Sequence, residues 1–189
     1  AEFIPPEWTP LPGTATPNPT GTPPTITPTP PSGIWVADMA GHRIVRLNER
    51  GHVEASTDTS VLPTGTPTWS EYENFAVVSP NDVSAATDGS CWAIDWGRNR
   101  VVKVSVDGDL VAVTVPCDIP DPDYCLAQDL MIHPVSIDCG GDPDSCFVAD
   151  YEGNRIYKLT LAGGTLTATR SIAEYYRPKK VVVDRTRLE

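Results

Sequence analysis

Three gapless copies of one thirteen-residue segment constrain this chain more than any other feature of its sequence. Each copy begins with an aromatic residue, has Asp three positions later and Arg five positions after the Asp, and ends in apolar residues around one Lys or Arg. The copies occupy residues 35–47, 92–104 and 147–159, and their Asp residues are 57 and 55 positions apart. Self-similarity at such a period indicates a repeat architecture.

Each copy predicts two short strands joined by a turn. The second strand alternates apolar and polar residues, as in Ile44-Val-Arg-Leu47, which is the period of a half-buried strand. Further strands are predicted before the second and third copies, at 83–88 and 135–138, and after each copy, at 53–56, 110–115 and 166–172. Four short antiparallel strands per repeat are typical of a propeller blade. We therefore predict an all-β fold of antiparallel four-stranded blades, three per chain, over residues 34–189.

The core pattern Asp-x4-Arg-Ile/Val-x-Lys/Arg resembles the NHL repeat of β-propellers. The resemblance covers residues 34–184, with His42, Asn99 or Asn154 before the Arg. It implies that the Asp and Arg of each repeat are structural, in the pairs Asp38 with Arg43, Asp95 with Arg100, and Asp150 with Arg155. Elementary chemistry agrees, because a carboxylate ending one strand can pair with a guanidinium starting the next and can accept turn amides.

The first predicted blade lacks its first strand, and one extra first strand follows the third blade. The first begins with what matches a second strand, Ile34 to Met39, and residues 179–184 match a first strand with no blade after it. Propellers usually have about 4–8 blades, so three are too few to close a ring. Two chains could form a six-bladed ring, subunits could add head to tail into a filament, or the natural protein could be longer. We predict that Val181, Val182 and Val183 pair with Ile34 to Met39 of another chain.

Residues 1–33 hold 11 of the 20 prolines and 8 threonines. Proline locks φ and removes a donor, so this segment is predicted to be an extended, polyproline-like arm. Such Pro/Thr-rich stalks are typical sites of O-glycosylation in exported proteins. The arm is interpreted either as a spacer before the folded part or as a strap that docks on a neighbouring subunit.

The five cysteines lack a Cys-x-x-Cys pair, which argues against zinc or a thioredoxin-like site. Two local pairs are predicted to form disulfides, Cys117 with Cys125 and Cys139 with Cys146. Cys91 is left over, either buried or in an intermolecular bond. Other pairings remain open. Disulfides form in oxidising compartments, so we expect an extracellular or cell-surface location.

Composition excludes several functions. The net charge of −11 disfavours nucleic acid as a partner, and no apolar run reaches the roughly 20 residues that a membrane span needs. The three histidines have no nucleophile or second ligand at a recognisable spacing, so we predict no catalytic residue, no metal and no cofactor. Acidic loops at Asp118 to Asp123 and Asp138 to Asp144 could hold calcium, but solvated turn carboxylates are the simpler interpretation.

Three functional classes remain. The favoured one is a non-enzymatic extracellular scaffold that self-associates by strand exchange into a dimer or filament. The second is a stalk-displayed module that binds a protein or a glycan. The third is a fragment of a six-bladed propeller enzyme such as a lactonase or lyase. Those enzymes build their sites on the inner strands, and the inner strands here offer only Ser84, Thr87, Ser136 and Val182.

Overall fold

The computed structural model describes residues 33–57, 77–114, 130–170 and 175–184. The predicted arm, apart from Gly33, and the predicted Cys117–Cys125 disulfide lie outside these ranges.

The described chain forms three antiparallel sheets in sequence order. The first contains β1 (Ile34–Asp38), β2 (Arg43–Leu47) and β3 (Val53–Ser56). The second contains β4 (Pro80–Ala85), β5 (Cys91–Asp95), β6 (Arg100–Val104) and β7 (Leu110–Val113), with a 3₁₀ turn at Trp96–Arg98. The third contains β8 (Pro134–Asp138), β9 (Ser145–Asp150), β10 (Arg155–Ala162) and β11 (Thr165–Arg170). The prediction of an all-β fold of antiparallel blades is confirmed.

The repeated segment forms the same hairpin in every sheet. The Asp and Arg of each copy face each other at its turn, where Asp38 pairs with Arg43, Asp95 with Arg100, and Asp150 with Arg155. The residue before each Arg is left-handed, with φ of 52° at His42, 48° at Asn99 and 54° at Asn154. Asn and His adopt this region more readily than most side chains, which explains the residue types at that position.

The sheets stack face to face around two apolar clusters. Successive side chains of a strand point to opposite faces, so Cys91 and Ala93 of β5 join one cluster while Trp92 and Ile94 join the other. Ile44 of the first sheet completes the first cluster. The second cluster is completed by the third sheet, through Cys146, Val148, Tyr157 and Leu159. All residues of β5 and β6 are buried, because the middle sheet is covered on both faces.

Candidate functional site

A proline at an equivalent position marks the start of the inner strand in successive blades. Pro80 opens β4 and Pro134 opens β8, each followed by a register shift. Pro178 precedes the segment 179–184 in the same way. These prolines align Asp82 with Ser136 and Lys180, and Ser84 with Asp138 and Val182. We call the contact between successive inner strands the inner-strand seam.

Between β4 and β8, side chains of the earlier strand bind main-chain groups of the later one. Asp82 Oδ2 accepts the N–H of Ile137 at 3.0 Å, and Ser84 Oγ accepts the N–H of Cys139 at 3.0 Å. The Ser84 hydroxyl also donates to Asp138 Oδ1 at 3.2 Å. The seam therefore satisfies main-chain donors that no ladder reaches.

The segment 179–184 continues the seam on β8 of its own chain. Ser136 Oγ accepts the N–H of Val181 at 3.4 Å, and Asp138 Oδ2 accepts the N–H of Val183 at 2.9 Å. The segment thus takes the place of the inner strand of a fourth blade, yet it joins no sheet in the described part of the chain. The sequence did not indicate this contact with β8. Pairing of Val181, Val182 and Val183 with another chain stays a prediction.

One ion pair spans the seam. Lys180 Nζ lies 3.3 Å from Asp82 Oδ2, although their strands are separated by β8. Asp82, Ser136 and Lys180 therefore lie in one layer of three successive inner strands. Asp82 lies outside the inner strand predicted at 83–88, and Asp138, which ends the one predicted at 135–138, was considered only as a residue of an acidic loop. Alignment of the three prolines at 80, 134 and 178 is the signal that would have found them.

The repeat carboxylates differ in their surroundings. Arg100 Nε lies 2.7 Å from Asp95 Oδ2, with the two side chains 3% and 0% exposed, and Asp95 Oδ1 also accepts the N–H of Val78. Arg43 Nε lies 2.8 Å from Asp38 Oδ2, but those side chains are 39% and 33% exposed. The hydrogen bond from Arg43 holds the pKa of Asp38 below its usual value, whereas burial raises the pKa of Asp95.

Asp150 in the third repeat is tied mainly to the main chain. Its oxygens accept the N–H groups of Ile132 at 3.0 Å, His133 at 2.7 Å and Gly153 at 3.4 Å. Burial raises its pKa, and these hydrogen bonds oppose the shift. Arg155 lies opposite Asp150 in the register of β9 and β10. Each of these carboxylates secures a turn, and the structural role that the resemblance implies for the three pairs stays a prediction.

The predicted Cys139–Cys146 disulfide is not formed in the structure, where Cys91, Cys139 and Cys146 are buried free thiols. Cys139 Sγ donates to the carbonyl of Ala85 at 3.0 Å, so it is directed across the seam towards β4. Burial raises the pKa of Cys91 and of Cys146 well above the usual value, which suppresses thiolate chemistry.

In the acidic turn of the third blade, the Asp142 carboxylate accepts hydrogen bonds from groups of the same turn. Asp142 accepts the N–H groups of Asp144 and Ser145 and the hydroxyl of Ser145, and the hydroxyl bond lowers the pKa of Asp142. Among the described residues, no group of three or more His, Cys, Asp or Glu side chains is arranged to hold a metal ion. The described helical turn is also far too short to cross a bilayer, and no described helix meets that requirement.

Propeller enzymes are among the solved structures that are similar to this chain. Virginiamycin B lyase from Staphylococcus aureus superposes with a TM-score of 0.47 at 20% identity, covering 80% of this chain and 43% of that one. A streptogramin B lyase gives 0.46 at 20% identity, over 79% and 40%. A PQQ-bound aldose sugar dehydrogenase from Streptomyces coelicolor gives 0.42 at 14% identity, over 76% and 43%. The chain thus spans less than half the length of these proteins.

No protein-family model and no curated protein matches this sequence. The fold class is therefore assigned from the strand order and the packing of the three sheets. Each is a meander of neighbouring antiparallel strands, and each packs its face on the next. The described chain is an all-β arrangement of three propeller-type blades.

Proposed function

We propose that this chain is a non-enzymatic scaffold that self-assembles head to tail, the third blade of one copy packing on the first blade of the next. An extracellular or cell-surface location, with the chain itself as the main partner, forms part of this proposal. The observation that carries it is an apolar face on the first blade whose β1 residues are exposed where the equivalent β5 residues of the second blade are fully buried.

That face, the first-blade outer face, consists of Ile34, Val36, Val45, Leu47 and Val53. Ile34 is 54% exposed and Val36 is 36% exposed, whereas their counterparts Cys91 and Ala93 are 0% exposed. A cavity of about 350 Å³ lies on this face. Buried counterparts at equivalent positions support the view that the first-blade outer face is also made to be covered, since exposed apolar patches mark interaction sites.

The outer side of the third blade is the surface that would pack on the first-blade outer face. Within the chain, the face carrying Trp92 covers the next blade, and Trp92 donates its indole N–H to the carbonyl of Pro143 at 3.1 Å. Phe147 and Ile156 occupy the equivalents of Trp92 and Val101 on the outer side of the third blade and are only half-buried. Head-to-tail contact would therefore repeat, between two copies, an interface that the chain already makes twice.

The seam supplies a second element of the same contact. The first sheet has three strands, with β1 at its edge, and residues 179–184 hold the inner-strand position of a blade that would follow the third. If another copy packed there, its β1 would lie beside this segment, and the segment would become the fourth strand of that copy's first sheet.

Two closures are compatible with this contact. Two copies of three blades give six blades, which is within the usual range of propellers. Two such head-to-tail contacts, related by a two-fold axis, would therefore make a closed ring. If the rotation does not close, the same contact produces a filament. Either product supports the scaffold, and the mass in solution distinguishes them.

The test compares Val36→Lys with Val113→Lys. Both valines are 36% exposed, but Val113 lies on the outer strand of the middle blade. Molar mass is measured by light scattering after size exclusion at tens of micromolar, with circular dichroism as the check on folding. The wild type and Val113→Lys should be oligomeric and Val36→Lys monomeric, and deletion of 178–189 should weaken the oligomer.

A monomeric wild type, or a Val36→Lys variant as oligomeric as the control, would overturn the proposal. A segment of a larger propeller, enzymatic or not, would then be the better account.

A further inference from the structure

We propose that one end of the second and third blades binds a short acidic oligosaccharide, of which a uronic-acid disaccharide is the smallest that carries one carboxylate for each of two cations. The surface, called the aromatic ledge, consists of Trp96, His133, Tyr151, Tyr176, Arg177 and Lys179. It lies at one end of the blades and shares Lys179 with the segment 179–184 that the proposed assembly uses, so its test also monitors the oligomeric state.

The repeat architecture puts these residues in a row. Trp96 and Tyr151 directly follow the repeat carboxylates Asp95 and Asp150, at the turn between the second and third strands. His133 and Arg177 directly precede the prolines that open the inner strands. The main-chain N–H of Tyr151 donates to the carbonyl of His133 at 2.9 Å, which joins the two sets.

The rings are in contact with one another. Trp96 donates its indole N–H to His133 Nε2 at 2.8 Å, which leaves Nδ1 of His133 to carry the ring proton. The Trp96 and His133 rings are edge to face, with centroids 5.7 Å apart, and the centroid of Tyr151 lies 6.2 Å from that of His133. Trp96 is 40% exposed, so its indole remains available to a ligand although its donor is used.

Two cations border the rings. The Arg177 guanidinium lies 5.4 Å from the Tyr151 ring and 5.7 Å from the Tyr176 ring, and Lys179 Nζ lies 5.9 Å from the Tyr151 ring. Both cationic residues are exposed, and within the described ranges neither forms an ion pair with a carboxylate. Tyr176 is 87% exposed, an unusual position for a tyrosine in a folded chain.

The main chain fixes Arg177 in place. Its N–H donates to Asn154 Oδ1 at 2.9 Å, and its φ of 48° is left-handed. This conformation is energetically unfavourable for a residue with a long side chain. Ser79, before Pro80, also has a left-handed φ, of 51°, but it carries no cationic side chain.

The chemistry of the ledge selects the ligand. Exposed aromatic rings offer flat apolar faces for a ring-shaped partner, and two cations without acidic partners attract carboxylates. The net charge of −11 works against a dense polyanion such as a nucleic acid, because two cations offset little of that repulsion. Sugar rings present apolar C–H faces that stack on aromatic rings, and a uronic acid adds one carboxylate per ring, one for Arg177 and one for Lys179.

The test titrates digalacturonic acid and its neutral dimethyl ester into the full chain, with calorimetry and tryptophan fluorescence as readouts. Lys179→Ala is compared with Lys158→Ala, because Lys158 Nζ also lies 5.9 Å from an aromatic ring, that of Phe147, but outside the ledge. Arg177→Asn keeps a residue that tolerates the left-handed φ. Light scattering confirms that the oligomeric state is unchanged.

We expect the acid to bind at least about tenfold more tightly than the ester, and Lys179→Ala and Arg177→Asn each to weaken it by about five- to tenfold. Lys158→Ala should leave binding unchanged. Equal binding of acid and ester, or equal effects of the two lysine substitutions, would overturn the proposal. So would tighter binding of an acidic peptide or a single-stranded oligonucleotide at the same salt concentration.

Discussion

Asp82 and Ile137, on the inner strands of neighbouring blades, are joined by a hydrogen bond of 3.0 Å that the main-chain N–H of Ile137 donates to the Asp82 carboxylate. The equivalent positions one blade later, Ser136 and Val181, make the same contact with a hydroxyl instead of a carboxylate. The blades are therefore held by polar contacts at fixed positions as well as by apolar faces. Because a hydrogen bond is directional, these contacts help to set the angle between successive blades.

The first prediction concerns the buried pair of the middle blade. Asp95→Ala should lower the free energy of unfolding by about 3 kcal/mol or more, since it removes a buried carboxylate that binds the Arg100 guanidinium and the Val78 N–H. Urea denaturation measures the loss. Asp38→Ala is the control, and its effect should be clearly smaller because that pair is half exposed and screened. Equal losses for both variants would remove the distinction between the two sites.

The second prediction concerns the seam at residues 179–184. Asp138→Ala removes the acceptor of the Val183 N–H, so the segment should detach more often and be cleaved about tenfold faster by a nonspecific protease. Mass spectrometry locates the cut. Asp142→Ala is a nearby control, because the side-chain hydrogen bonds of Asp142 to described residues stay within its own turn, at Asp144 and Ser145. Similar cleavage in both variants would mean that the seam contributes nothing to holding the segment.

The third prediction concerns pH. The pKa of Asp38 is lowered from 3.8 by folding, so its stabilisation is complete above that value and is lost as pH falls through the folded pKa. Asp38→Asn should therefore flatten the rise of unfolding free energy between about pH 2 and pH 5. The pKa of Asp95 is raised, so its contribution declines as pH rises above 3.8, and Asp95→Asn should steepen the same rise. Slopes that change in the same direction for both variants would contradict these assignments.

The fourth prediction concerns the thiols. Cys91, Cys139 and Cys146 should resist alkylation in the native protein because they are buried, and all three should react in denaturant without a reductant. Peptide mass spectrometry identifies each site. Protection of Cys139 and Cys146 in denaturant, relieved by a reductant, would show that the disulfide expected from the sequence forms after all. The state of Cys117 and Cys125 is reported in the same measurement.

The hairpins were predictable because their signals are local. Alternation in Ile44 to Leu47 and the Asp-to-Arg spacing determine strand, turn and register within thirteen residues. The inner strands were predicted less well. β4 begins at Pro80 rather than Val83, because an irregularity between Pro80 and Asp82 breaks the alternation and conceals Asp82.

The seam and the ledge depend on contacts between blades, which local patterns do not encode. Ser84 and Asp138 are 54 positions apart, and their contact follows from how two sheets stack. For Cys139 and Cys146, the local pattern instead predicted a bond that the structure does not contain. Their spacing around a hairpin favours a local bond, but stacking directs Cys139 to Ala85 of the preceding blade.

Full burial of β5 and β6 also sets the order in which the fold should open. Each outer sheet can fray by giving up one apolar cluster, whereas the middle sheet opens only when both clusters are lost. Stability in such stacked repeats is close to a sum of nearest-neighbour terms along one dimension. The middle blade is thus expected to be the last cooperative unit to unfold, and its Ala93 and Val102 amides to be the slowest to exchange with deuterium.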